Sequence, residues 1–200
     1  MTALRLIVGL GNPSPQYDRT RHNVGAAWVR KMALRYDFSL SSESKFKGEI
    51  GRGKIAGHDV RLLVPFTYMN LSGESVGAVA HFYKIAAEEI LVAYDEMAFN
   101  PGLLRLKSGG GDNGHNGLKS VRSGLGSNGE FHRLRIGVGH PGDKARVTSF
   151  LTQVKMPSAE TDLVEQSLDI PDTVMHSILT CDWQSAMNIM HTSPSESGEQ

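Results

Sequence analysis

The stretch LIVGLGNPSPQYDRTRHNVGAAW, residues 6–28, decides the fold. It begins as an apolar run that predicts a buried strand over residues 4–10, crosses a polar loop with two prolines, and enters a helix whose apolar positions begin at Val24. In open α/β sheets, such a loop carries its side chains into the crevice beyond the carboxyl end of the strand, where these folds bind ligands. The loop therefore predicts one site shared by four polar side chains: Asn12, Tyr17, His22 and Asn23.

Length and composition indicate one domain. Two hundred residues, of which 40 % are hydrophobic, suffice for a sizeable core. The one cysteine, Cys181, excludes an internal disulfide and fits a reducing compartment. The N-terminal apolar run is too short for a signal peptide, and no apolar run approaches membrane-spanning length. We expect a soluble cytoplasmic protein with one domain over residues 1–191 and a disordered tail over residues 192–200.

The net charge of zero conceals a segregation of charge along the chain. Residues 105–146 hold eight Lys or Arg side chains against three acids, whereas no Lys or Arg follows Lys155. A dipolar chain of this kind can bind a polyanion on one face without being basic overall. The alternative is two ordinary solvated surfaces.

Strand and helix patterns alternate along the chain, with one hairpin between them, which predicts an α/β fold. Ser72 and Ser158 look like helix N-caps, and Pro171 should kink or split the helix that contains it. We therefore expect a single globular domain with a mixed, mostly parallel twisted sheet flanked by helices. After the opening unit, strands are predicted over 46–54, 59–65, 90–94, 103–107 and 134–139, and helices over 23–36, 72–84, 118–125, from 158 onward and over 183–191.

Three asparagines that each follow a predicted strand are candidates for contacting a peptide group: Asn12, Asn70 and Asn116. An amide side chain offers a donor and an acceptor without charge, which suits a peptide, although a turn role is the alternative for each one. His22 titrates near neutrality. Asp95 ends the predicted strand 90–94, and near an imidazole it would accept the Nδ1–H and raise the basicity of the ring. A turn cap and a satisfied loop histidine are the alternatives for these two residues.

The glycine-rich run 109–117 can form backbone N–H nests for an anion, and Lys107 and Arg135 could add phosphate contacts. A long flexible loop is the alternative. Gly9 and Gly11 weakly suggest a dinucleotide fingerprint, but serine occupies the third glycine position. No nucleophile-elbow motif occurs, and the eight histidines lack metal-ligand spacing, so we predict neither a metal nor a cofactor.

Over about residues 6–152 the chain resembles the bacterial-type peptidyl-tRNA hydrolases, in six blocks that stand in the right order. The blocks are LIVGLGNP, TRHNVG, LLVPFTYMNLSG, ILVAYDE, GGGDNGHNGL and FHRLRIGVGHPGDK. The resemblance implies a monomeric α/β globule of the phosphorylase/hydrolase-like type. It also implies metal-independent hydrolysis of the ester that joins a peptide to the 3′-terminal ribose of tRNA. That reaction recycles tRNA from stalled translation.

The resemblance also assigns roles to individual residues. It implies that His22 is the general base that activates water, that Asp95 keeps His22 basic, and that Asn12 distinguishes N-blocked peptidyl-tRNA from free aminoacyl-tRNA. Lys107 and Arg135 match the basic pair that holds a tRNA phosphate. Other positions match contacts to the tRNA end or the peptide: Tyr17, Tyr68, Met69, Asn70, His115 and Asn116.

Three regions depart from the family pattern. Residues 97–100 replace an acidic residue and a proline and make the cleft rim more apolar, and Asp112-Asn113 stands where His-Gly is common. A carboxylate at position 112 could weaken contact with tRNA. The C-terminal region matches poorly and holds no basic residue after Lys155. A non-catalytic RNA-binding member of the same fold is the main alternative function, and a nucleotide-dependent oxidoreductase is a third.

Overall fold

The structure is a computed structural model that describes residues 2–191. Within that range seven strands and seven α-helices follow the chain. The strands are β1 Leu6–Gly9, β2 Ser41–Glu43, β3 Gly48–Ile55, β4 His58–Pro65, β5 Ile90–Glu96, β6 Leu104–Ser108 and β7 His132–Gly137. The helices are α1 Val24–Arg35, α2 Ser72–Tyr83, α3 Asn116–Gly124, α4 Val147–Thr152, α5 Ser158–Ser167, α6 Asp172–Leu179 and α7 Trp183–His191.

The strands form one sheet in the order β2-β3-β4-β1-β5-β7-β6. The central pairs β4–β1, β1–β5 and β5–β7 are parallel, and antiparallel pairs close both sides of the sheet. The chain leaves β1 towards β4 and later returns to β5 on the other side of β1. This reversal places a crevice beyond the carboxyl ends of β1, β4 and β5, the usual ligand position in such sheets.

Helices cover both faces of the sheet, which is why the central strands β1 and β5 begin as continuous apolar runs. Along β1, Ile7 belongs to the core under α1 and α5–α7, whereas Leu6 and Val8 belong to the core under α2 and α3. Successive side chains of a strand point to opposite faces, so a strand buried on both sides loses the apolar–polar alternation. All seven residues of β5 are buried, including its last two, Asp95 and Glu96.

A glycine contact sets how closely α1 approaches the sheet. A Cβ on Gly25 would lie 2.2 Å from the carbonyl oxygen of Ala93, and a Cβ on Gly9 would lie 2.3 Å from the carbonyl oxygen of Gly25. Only glycine permits this backbone contact. The contact holds the start of α1, and the residues just before it, against the carboxyl end of β5.

The predicted fold class is confirmed, since the described chain forms an α/β domain around a mixed sheet of parallel central strands. The domain limits stay a prediction, and the predicted disordered tail lies outside the described residues. Within residues 2–191, no helix combines the length and the apolar character that crossing a membrane requires.

Several predicted boundaries and caps were wrong. The first strand covers Leu6–Gly9 rather than residues 4–10, and the strand predicted over 134–139 runs over His132–Gly137. That pattern missed its polar start because the fully buried Arg133 looks like a surface residue in the sequence. Ser72 and Ser158 are the first residues of their helices rather than caps.

The predicted split at Pro171 is confirmed, because Pro171 directly precedes α6 and separates it from α5. Other differences lie in short or polar segments. The polar strand β2 was missed because it lies at the sheet edge, where no apolar pattern is needed. The helix predicted over 118–125 begins at Asn116, since the His115 side chain accepts the N–H groups of Gly117 and Leu118 at its start.

Candidate active site

A cleft of about 400 Å³ opens at the carboxyl ends of β1, β4 and β5. It brings together most of the predicted site residues, although they come from four separate parts of the chain. Tyr17 lies beside the rim, where its ring meets the ring of Tyr68 edge-on at 6.5 Å. The predicted residues that line the cleft are Asn12, His22, Tyr68, Met69, Asn70, Asp95, His115 and Asn116.

His22 and Asp95 are in direct contact at the floor of this cleft. Nδ1 of His22 lies 2.9 Å from both carboxylate oxygens of Asp95, 73 positions along the chain. A carboxylate that accepts two close contacts fixes the proton on Nδ1. Nε2 is therefore left as the acceptor. The His22 side chain is 12 % exposed and that of Asp95 is 1 % exposed, so the base reaches solvent while its partner does not.

His115 is a second imidazole on the same carboxylate. Its Nε2 lies 2.9 Å from Oδ1 of Asp95, and its Nδ1 accepts the backbone N–H groups of Gly117 and Leu118 at 3.1 and 3.3 Å. Since Nδ1 is an acceptor, the proton must be on Nε2, where it is donated to Asp95. The first turn of α3 therefore fixes the tautomer of His115.

The two imidazoles reverse the effect of burial on Asp95. Burial by itself would raise the pKa of this carboxyl, but contact with His22 and His115 holds its pKa well below the usual range. For His22 burial acts to lower the pKa, and the Asp95 carboxylate outweighs it, so the pKa of His22 is raised above 6.5. Asp95 is therefore charged at neutral pH and stabilises the imidazolium that forms when His22 takes a proton.

Asn12 is fixed by hydrogen bonds to both its side chain and its backbone. Its Oδ1 accepts the backbone N–H of Met69 at 2.8 Å, and its backbone exchanges two hydrogen bonds of 2.9 Å with the side chain of Asn23. Because Oδ1 is engaged by an obligate donor, the Nδ2 amino group is the part of the side chain that can bind a ligand. Asn23 therefore holds the backbone of Asn12 and does not line the cleft. The prediction that its side chain shares the site was wrong.

Short helix α4 forms a wall of the cleft that the sequence analysis missed. The residues of α4 that line the cavity are Val147, Thr148, Leu151 and Thr152. The i, i+4 spacing of Val147 and Leu151 was the available signal, but a six-residue helix leaves too short a pattern to detect.

Arg21, next to His22, was also missed. Its side chain is 4 % exposed, and its guanidinium bonds to Glu160 at 2.7 Å and to the carbonyl of Val138 at 3.3 Å. It also lies 3.9 Å from the centre of the Phe150 ring. These contacts attach the turn that presents His22 to α4 and α5.

Lys107 and Arg135 do not line the cleft. The register of β6 and β7 pairs Arg105 with Arg135 and Lys107 with Arg133, so all four cations share one face of the sheet. Arg135 bonds to Glu96 at 3.0 Å and is therefore partly neutralised.

The departures from the family pattern also have partners. Phe99, in the unusual segment 97–100, lies under the guanidinium of Arg135 at 4.4 Å. Asp112 forms an ion pair with Arg122 at 3.2 Å, which offsets its charge at the cleft. The expected weakening of tRNA contact by Asp112 stays a prediction.

His22, Asp95 and His115 also form a group that could hold a metal ion, since their ligand atoms all lie within 4.8 Å of one another. Linear spacing of histidines did not reveal this group because its members come from three segments. Both imidazoles donate a proton to the Asp95 carboxylate, and an ion would have to displace at least one of these two protons. The prediction of a metal-independent site stays a prediction.

Comparison with known proteins identifies the family. The family model described as peptidyl-tRNA hydrolase matches residues 6–198. Proteins named peptidyl-tRNA hydrolase from Yersinia enterocolitica and Pectobacterium atrosepticum are 50 % and 51 % identical to the chain, each alignment covering 96 % of this chain and 97 % of the relative. The crystal structure of peptidyl-tRNA hydrolase from Acinetobacter baumannii aligns with a TM-score of 0.90 at 46 % identity over 96 % of both chains.

These matches extend the six-block resemblance across nearly the whole chain, including its C-terminal region. The chain belongs to the peptidyl-tRNA hydrolase family and is a hydrolase.

Proposed function

We propose that the cleft hydrolyses the ester between an N-blocked peptide and the 3′-terminal ribose of tRNA, with His22 as general base. The observation that carries this proposal is the contact of His22 Nδ1 with the buried Asp95 carboxylate, which leaves Nε2 in the cleft as a proton acceptor. General base catalysis by an oriented imidazole contributes about 10²–10⁴-fold, and positioning of the water contributes further.

The reaction balances without a metal or a covalent intermediate. Nε2 of His22 takes a proton from water as the water oxygen bonds to the ester carbonyl carbon. The C–O bond to the ribose then breaks, and the proton passes to the leaving 3′ oxygen. The products are a peptide carboxylic acid, ionised at neutral pH, and tRNA with a free 3′ hydroxyl. Amide side chains in the cleft, such as Asn70 and Asn116, are suitable donors to the oxyanion.

Asn12 supports a preference for N-blocked substrates. Because its Oδ1 is taken by Met69, its Nδ2 is left to donate to a carbonyl oxygen, and the blocking acyl group supplies one. Free aminoacyl-tRNA has an ammonium group there instead, which cannot accept this bond. A site built to bond to a group discriminates strongly against a ligand that lacks it.

The basic face of β6 and β7 supports tRNA as the partner. Lys107 and Arg135 would contact phosphate, with Lys107 the stronger candidate because Arg135 is already paired with Glu96. Phosphate contacts supply affinity that depends on salt but little discrimination between sequences. We propose that the protein acts on tRNA as a monomer in the cytoplasm and that tRNA is thereby returned to translation.

Replacing His22 with Ala tests the proposed role directly. We expect cleavage of N-acetylaminoacyl-tRNA to fall by about 10²–10⁴-fold, because the base is lost, while tRNA affinity changes little. Single-turnover release of the blocked amino acid and fluorescence anisotropy with labelled tRNA measure the two quantities. His81→Ala, which removes an exposed histidine on α2, is the control. Tight binding without turnover by the unmutated protein would instead indicate the non-catalytic RNA-binding function.

The pH profile tests the role of Asp95. The neutral base form of His22 predominates only above its raised pKa, so kcat/KM should rise with pH through an acid limb that lies above 6.5. In Asp95→Asn the limb should move to lower pH, because burial then acts on the imidazole without the opposing carboxylate, and the rate should fall. Glu96→Gln removes the neighbouring carboxylate, which bonds to Arg135 and not to His22, and should shift the limb less. An identical limb in both variants and the unmutated protein would remove Asp95 from the mechanism.

Substrate discrimination tests Asn12. Asn12→Asp keeps an oxygen for the Met69 N–H but replaces the Nδ2 donor with a second oxygen. We expect the ratio of kcat/KM for N-acetylaminoacyl-tRNA to kcat/KM for aminoacyl-tRNA to fall by about 10–100-fold. The variant loses the hydrogen bond from Nδ2 to the blocking acyl group, and its carboxylate attracts the free ammonium group. Asn12→Ala, which removes both functions, is the comparison. A ratio that both variants leave unchanged would show that Asn12 does not discriminate.

Salt dependence tests the phosphate contact. Lys107→Ala should raise KM for tRNA substrates, leave kcat within about twofold, and reduce the slope of log KM against log salt by about 1. Lys54→Ala removes an exposed lysine on β3 and serves as the control. Equal slopes in the two variants would place the tRNA contact elsewhere.

A further inference from the structure

A pair of histidines lies on the surface outside the cleft and has no part in the proposed reaction. His58 begins β4 directly after the turn of the β3–β4 hairpin, and His176 lies on α6, 118 positions later. Nε2 of His58 is 3.0 Å from Nδ1 of His176. The ring centres lie 4.8 Å apart and the ring planes cross at 53°. The sequence could not reveal this pair, because its members are far apart along the chain.

The distance between the two nitrogens fits two ligands of one metal ion. Imidazole nitrogens bind Zn²⁺ at about 2.0–2.1 Å, so two of them at angles of 90–109° around one ion lie roughly 2.9–3.4 Å apart. The observed 3.0 Å falls within that range. If the two rings and their facing nitrogens lay on one line, the ring centres would be farther apart than the observed 4.8 Å. The two rings therefore meet at an angle, as two ligands of one ion do.

The protons can rearrange to admit an ion. In the present contact one ring nitrogen donates to the other, so each imidazole is neutral or the pair shares one extra proton. When the proton between the rings moves to the outer nitrogen of the same ring, both facing nitrogens become lone-pair donors. Neutral imidazole is the form that binds metal.

The residues around His58 and His176 leave both imidazoles accessible to an ion from solvent. His58 is half-buried and His176 is exposed, so an ion can keep water at its other positions. Asp172, one turn before His176 on α6, bonds to Arg35 at 2.8 Å and to Tyr36 at 2.5 Å, so it is engaged elsewhere. A site whose protein ligands are imidazole nitrogens favours Zn²⁺, Ni²⁺ or Cu²⁺ over Mg²⁺ or Ca²⁺.

We propose that His58 and His176 form a surface site for a divalent transition-metal ion, bound by two imidazoles and water. The ion joins the β3–β4 hairpin to α6, two elements whose contact is otherwise modest. An ion that binds the folded protein and not the unfolded chain raises the stability of the fold. This site is distinct from the group formed by His22, Asp95 and His115, and it does not depend on the proposed reaction.

Thermal unfolding of the untagged protein with ZnCl₂ or NiCl₂ at pH 7.5 tests the proposal. At an ion concentration about 100-fold above Kd we expect Tm to rise by roughly 5 °C, and we expect no rise with MgCl₂. His58→Gln and His176→Gln should each abolish the rise, while His81→Gln, with an exposed histidine on α2, should retain it.

The experiment separates the surface pair from the cleft. Calorimetric titration should show one binding event that disappears in His58→Gln and in His176→Gln, while their circular dichroism spectra without metal match that of the unmutated protein. A metal-induced rise that persists in both variants would overturn the proposal and assign the ion to the cleft or to another histidine. The absence of any rise or heat in the unmutated protein would also overturn it.

Discussion

The site depends on one buried charge. Asp95 ends a strand that is buried throughout, and its side chain is 1 % exposed, so water does not solvate the carboxylate. A buried charge is tolerated only when partners surround it, and here the partners are two imidazoles from different parts of the chain. The same carboxylate therefore joins β5, the turn before α1 and the turn before α3. It also sets the tautomer and the basicity of His22.

That arrangement requires α1 to approach the sheet more closely than side chains normally allow. Gly25 rests on the carbonyl of Ala93 two residues before Asp95, and Arg21 fixes the other side of the turn to α4 and α5. The turn that carries His22 is thus held between the sheet and the helices that wall the cleft. Because α4 is part of that wall, the position of the base and the shape of the cleft are linked through Arg21.

Two departures from the family pattern each contact an arginine. Phe99 lies against the guanidinium of Arg135, and Asp112 pairs with Arg122. Arg122 and the buried Arg133 also donate to the carbonyl of Gly110, which fixes the glycine-rich segment before His115. The extra carboxylate at position 112 therefore contributes to the placement of that segment, in addition to changing the charge of the cleft.

The sequence by itself determined the fold class, the family and most of the cleft. Apolar runs marked the central strands because strands buried on both faces need no polar positions, and the residues after them marked the cleft because parallel strands end at one edge. Only the tertiary structure decided the contacts between distant segments. The orientation of the Asn12 amide, the second imidazole on Asp95, the attachment of Arg21 to Glu160, and the His58–His176 pair all depend on distances between residues far apart in the chain. Local sequence patterns carry no information about such distances, which are set by how helices and strands pack.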